Sequence, residues 1–75
     1  MIKEYRFKSG KSYYLNTRKN YKIHIIKRTA HYITFTGDFS GKKKISHGLL
    51  KSEYIWIPSE IKGMQYLTMA LHEAL

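Results

Sequence analysis

The chain has no cysteine, one proline and five acidic residues among its 75. Without cysteine there are no disulfides, no thiolate metal sites and no sulfur nucleophile. The longest unbroken apolar run is Tyr54-Ile55-Trp56-Ile57, far short of the roughly 20 residues that cross a bilayer as a helix. The opening Met1-Ile2-Lys3-Glu4-Tyr5-Arg6-Phe7 lacks the apolar stretch of a secretory signal. These absences lead us to expect a cytoplasmic protein without a membrane partner. Acids are too scattered for a carboxylate pair, and no histidine has an orienting acid at a recognisable spacing, so no enzyme and no cofactor is expected. His24, His31, His47 and His72 have no metal-ligand spacing. Gly10-Lys11-Ser12 invites comparison with a phosphate-binding loop, but that motif needs glycine at residue 5, where Tyr5 stands, and Ser12-Tyr13-Tyr14-Leu15 reads as strand rather than helix.

What the chain does have is positive charge and aromatic rings. Fourteen lysines and arginines against five acids give a net charge of +9, and aromatics make up 15%. The sign is unevenly spread. Residues 1–51 carry +11 and residues 52–75 carry −2, with Lys62 the one base of the second part. Such self-repulsion costs stability and is most easily understood if an anion is normally nearby. Nucleic acid is the leading candidate, because neutralised phosphates release counterions. The bland alternative is that lysine only keeps a small protein soluble.

The length allows one domain over residues 1–75, with a thin core that a homodimer or a bound partner would help to stabilise. Short segments rich in β-branched and aromatic residues run through residues 2–7, 11–15, 21–27, 31–36, 42–46 and 53–57. Tyr21 to Lys27 alternates with period two, and Arg28-Thr29-Ala30 is short enough to join it to residues 31–36 as a hairpin. Gly37-Asp38-Phe39-Ser40-Gly41 signals the next turn, and Leu49 and Leu50 are expected under the core. Past Pro58 the pattern changes. Ile61, Met64, Leu67, Leu71 and Leu75 recur at spacings of three and four, an apolar helical stripe, with Ser59 as its N-cap and Gly63 weakening its first turn. The expected fold is therefore mainly β with one helix (α+β): strands over 1–57, as a small antiparallel sheet of four to five strands or an SH3-like or OB-like barrel, and a C-terminal helix over 59–75.

If Ile23, Ile25, Ile33, Phe35, Ile55 and Ile57 face the core, the other face carries Lys22, His24, Arg28, Tyr32, Thr34, Tyr54 and Trp56. Bases interleaved with rings on a curved sheet suit single-stranded nucleic acid, with charge along the backbone and rings stacked on bases. The candidate nucleic-acid contacts are Arg18, Lys19, Lys22, Arg28, Tyr32, Lys42, Lys43, Lys44 and Trp56. On a strand Lys42 and Lys44 share one face and Lys43 takes the other. Lysines there contact phosphate without reading sequence, and they also protect an edge strand from aggregation. For Trp56 two placements stay open, a stacking ring among bases or a core ring under the C-terminal stripe. The nearness of the stripe tips Trp56 itself toward the core.

At Lys27-Arg28-Thr29-Ala30-His31-Tyr32-Ile33-Thr34 the chain resembles a class of short uncharacterised bacteriophage and mobile-element proteins, in which a Lys-Arg-Thr-Ala hairpin is followed by a Gly-Lys-rich strand and a Glu-Tyr strand. Here those are Gly41-Lys42-Lys43-Lys44-Ile45 and Glu53-Tyr54-Ile55. The resemblance spans about residues 21–57 and implies a phage-like origin and a host cytoplasm, but no activity. Two functions follow as expectations. The first is a non-enzymatic nucleic-acid binder, of DNA or RNA, with weak sequence preference. The second is a phage-type inhibitor or adaptor that binds a host protein, of anti-defence or anti-CRISPR character, or a sponge for a nucleotide messenger.

Overall fold

A computed structural model describes residues 5–16, 20–48, 51–59 and 61–74. They form β1 (Ser12–Leu15), β2 (Lys22–Arg28), β3 (Tyr32–Gly37), β4 (Gly41–Lys44), β5 (Ser46–His47), β6 (Glu53–Pro58) and β7 (Gln65–Ala74). All pairings are antiparallel, in the order β4-β3-β2-β1-β7-β6-β5. Only Ile45 separates β4 from β5. Its buried side chain and the bond from its N–H to the His31 carbonyl (2.7 Å) make residues 41–47 one bent strand. The first half of that strand pairs with β3 and the second with β6. The sheet thus curls into a nearly closed barrel in which chain neighbours are also spatial neighbours, and β1 with β7 completes the circuit. This is the mainly β, barrel-like fold expected from the sequence, with more strands than the expected four to five.

Period-two alternation sends Tyr13, Leu15, Ile23, Ile25, Ile33, Phe35, Ile55 and Ile57 into the barrel. Phe7 plugs one end against Tyr13 (ring centroids 4.9 Å apart, edge-on). The Tyr13 hydroxyl accepts the Lys8 N–H and donates to the Arg6 carbonyl, which straps residues 6–8 across that end. Tyr21, Phe39 and Tyr66 close the other end as a triangle of rings with centroids 5.4–5.9 Å apart. Leu49 and Leu50, expected under the core, lie outside the described residues, as do Arg18 and Lys19.

The C-terminal helix is corrected: no described residue is α-helical, and residues 65–74 are the longest strand. The polar and apolar residues of the stripe also satisfy period two. Tyr66, Thr68 and Ala70 turn inward or toward the barrel end, while Leu67, Met69 and Leu71 turn outward. Intrinsic preference for helix is worth only tenths of a kcal/mol per residue. A strand here pairs its backbone with both β1 and β6, which a helix would leave unpaired. Ser59 still makes a capping bond, its hydroxyl accepting the Ile61 N–H at 3.0 Å, but it caps the β6–β7 turn. Gly63 sits in that turn at φ 86°. β7 is much longer than β1, and a register shift between the Leu15–Thr68 and Tyr13–Glu73 pairs absorbs the excess.

Candidate nucleic-acid interface

The outer face of the barrel divides by charge. On β2, β3 and β4 the outward residues are Lys22, His24, Lys27, Tyr32, Thr34, Thr36, Lys42 and Lys44. Register sets Lys27 beside Thr34 and Thr34 beside Lys42, one row across three strands. Neighbouring strands lie about 4.8 Å apart, so Lys27 and Lys42 stem from points about 10 Å apart. In the next row Tyr32 stands opposite Lys44, and Lys42 Nζ lies 5.1 Å from the Tyr32 ring centroid. That contact holds a cation against the ring. At the other end of the wall Ser12 Oγ and His24 Nδ1 are hydrogen-bonded at 3.1 Å.

None of Lys22, Lys27, Lys42, Lys43 and Lys44 forms an ion pair with a described residue. The three described acids make other contacts. Glu73 lies 3.8 Å from Lys11. Asp38 accepts the backbone N–H of Lys22. Glu53 is buried. Lys43 departs from the wall, as alternation requires: it is half-buried and lines the seam between β4 and β6 with Phe39, Ile57 and Pro58.

Arg28 leaves the candidate set for a structural reason. The sequence reading put it in phase with Lys22 and His24, but the β2–β3 register slips between Ile25 and Lys27. Ile26 is the extra residue, 56% exposed, and beyond it the phase reverses. Lys27 therefore takes the outward position and Arg28 turns in. Its side chain, 18% exposed, donates to Glu53 Oε1 at 2.6 Å and Oε2 at 3.1 Å, and also to the Phe7 carbonyl at 2.7 Å. Glu53 is 2% exposed and also accepts the Phe7 N–H at 2.8 Å. Burial pushes its carboxyl upward, but hydrogen bonds from Arg28 and Phe7 with the charges of Arg28 and Arg6 hold it below the usual value. This pair locks the N-terminal strap to the barrel, and its charge is spent internally. The neglected signal was the doublet Ile25-Ile26, which breaks the alternation. It should have pointed to a bulge and to Lys27 as a contact.

Trp56 is 47% exposed, so the leaning toward a core placement is corrected: among the described residues no α-helix covers it. It stands on β6, outside the three strands that carry the lysine row. Its neighbours on the outer face are Leu67, directly opposite on β7, and Tyr54, edge-on at 6.5 Å. β1 separates this wall from β2 on one side; on the other the bent strand 41–47 brings β4 to the edge of β6, with Lys44 two residues before Ser46, the partner of Tyr54. Trp56 and Tyr54 thus lie on β6 and the lysine row on β2, β3 and β4, the two meeting at the β4–β6 seam. Among the described residues no group of three histidines or acids could hold a metal ion.

Fold and surface together define a small antiparallel β-barrel with one basic wall and one apolar wall. No family model, characterised protein or solved structure matches the chain.

Proposed function

We propose that the protein binds nucleic acid, without catalysis and with weak sequence preference, through the outer wall of β2, β3 and β4. One observation carries this reading: the Lys27–Thr34–Lys42 row beside Tyr32 and Lys44, whose lysines have no acidic partner among the described residues. Lys22, Lys27, Lys42 and Lys44 contact phosphates, Lys43 assists from the seam, and Tyr32 is the ring available to a base. The wall is convex and built of strands, with no helix to enter a major groove, which favours backbone contact over base-edge readout. In the setting suggested by the hairpin, a phage-type protein, it acts in the host cytoplasm.

Affinity for random-sequence DNA or RNA should fall steeply with salt, log K against log salt having a slope of about −3 to −5. Replacing Lys27, Lys42 and Lys44 together by Ala should reduce that slope by about two to three. Tyr32→Ala should weaken binding to single strands by about 1–3 kcal/mol with little change in the slope. Undetectable binding even at low salt would dismiss this function in favour of the inhibitor or adaptor reading.

A further inference from the structure

The β6–β7 wall has no part in the function just proposed. Trp56, Ile61 and Met64 are exposed around the hairpin and Leu71 is exposed further along β7. Leu67 and Met69 extend the strip between them, each half-buried and paired with Trp56 and Tyr54 respectively. Trp56, Pro58, Ile61 and Met64 line one shallow groove at the turn, together with Lys62. On a monomer this small, so continuous an outward apolar strip marks a contact surface. It is also poor in charge, as the centres of protein interfaces are. Residues 52–75 include one base, Lys62, on a chain of net charge +9.

We infer that this wall is the interface of a homodimer, two copies meeting face to face through β6 and β7. The charge distribution selects the occupant. Sheet order sets β2 and β3 on the side of the barrel opposite β6 and β7. Two copies joined here keep Lys22 and Lys27 on the far sides of the dimer, with Lys42 and Lys44 of β4 at its flanks beside β6, whereas approach through β2, β3 or β4 would oppose lysine to lysine. An acidic partner would be drawn to the basic wall and not to this one. A two-fold axis also needs a patch complementary to itself, and a largely apolar strip, with Lys62 the one base lining its groove, satisfies that without matched charges. A standard interface takes about 800 Å² from each partner, about one-seventh of the 5622 Å² surface of this chain. A dimer of at most this size is concentration-dependent, so it is sought over a wide range of protein concentration. The dimer presents two basic walls, so a long nucleic acid wrapping both is held by avidity that a short one lacks.

The test is sedimentation of the full chain, freed of nucleic acid, from about 5 to about 500 µM in about 0.3 M salt to screen the lysines. The mass should climb from 8.9 kDa toward twice that value, with Trp56 emission shifting to the blue in parallel. Met64→Glu and Leu71→Glu, both at exposed sites, should each hold the protein monomeric at the highest concentration with the melting temperature unchanged. They should bind a short oligonucleotide as wild type does and a long one more weakly. A mass that stays at 8.9 kDa throughout overturns the inference, as does a dimer indifferent to both variants. If the wild type remains monomeric while Trp56 emission responds to another protein, the wall belongs to a different partner. None of these failures would alter the salt dependence of oligonucleotide binding, so they are separable from failure of the nucleic-acid reading.

Discussion

At the scale of single residues, Arg28 and Glu53 show how a charge becomes structural. Glu53 would be costly to bury alone, and Arg28 and the Phe7 N–H satisfy both of its oxygens. Glu53→Gln leaves Arg28 without its counter-charge and should cost about 3 kcal/mol or more, read by denaturant unfolding at neutral pH. The pH dependence has a definite sign. A carboxyl whose folded-state pKa is depressed contributes stability above its unfolded value of about 4.3, and that contribution is lost as pH falls through the lower folded value. Wild-type stability should therefore drop on acidification below about pH 4, and the Gln variant should show a shallower drop there. Arg28→Met should lower stability while leaving the salt slope of binding unchanged. A lost slope with unchanged stability would return Arg28 to the phosphate contacts. Thr68 offers the opposite case. Its side chain is fully buried and its hydroxyl has no hydrogen-bond partner among the described residues, so Thr68→Val should raise stability by about 1 kcal/mol in the same unfolding experiment.

At the scale of elements, the contested segment is residues 59–74. Gly63→Ala separates the helix expected from sequence from the strand hairpin of the structure. In a helix the substitution would stabilise by about 1 kcal/mol. At φ 86° in the turn, with open space around the position where a Cβ would sit, it should destabilise by about 1 kcal/mol for backbone reasons alone. Calorimetry of the one variant reads the sign. The same segment shows what was legible beforehand. Ile23, Ile25, Ile33, Phe35, Ile55 and Ile57 announced their core face because alternation is a local signal, and all six are buried. β7 did not, because its inward residues include Thr68 and Ala70, small or polar enough to look like the exposed side of a helix. What decides β7 is the vacancy between β1 and β6, a non-local fact that no spacing within residues 61–75 encodes. The bulge at Ile26 is an intermediate case. A single extra residue reversed the phase of everything after it in the strand, moving Arg28 inward and Lys27 outward. Among the candidate contacts, Lys22, Tyr32, Lys42 and Lys44 were legible because no bulge intervenes in their strands before them. For Trp56 strand phase pointed outward while the nearby stripe pointed to the core, and phase was the better guide, since Trp56 is exposed; phase tells in from out and says nothing about position around the barrel.

At the scale of the whole molecule, the charge asymmetry along the chain becomes an asymmetry in space, and this couples stability to binding. Lys22, Lys27, Lys42 and Lys44 are crowded onto three adjacent strands, with no ion pair to a described residue. Folding brings these like charges together, so the folded state bears a repulsion that the extended chain largely escapes. Salt screens it, with a Debye length falling from about 30 Å at 0.01 M to about 8 Å at 0.15 M. A polyanion should relieve it more fully, by adding binding energy available to the folded state alone. The melting temperature should therefore rise from low to moderate sodium chloride, and rise further with oligonucleotide at fixed salt. Removing Lys27, Lys42 and Lys44 should reproduce the first effect and abolish most of the second. If the three alanines relieve about 1 kcal/mol of repulsion, the variant should melt about 4–8 °C above wild type at low salt, and the gap should close as salt is added. A variant that melts below wild type at every salt concentration would mean that these lysines hold the fold together. The basic wall would then be explained by structure, and the case for a nucleic-acid surface on β2, β3 and β4 would lose its physical basis.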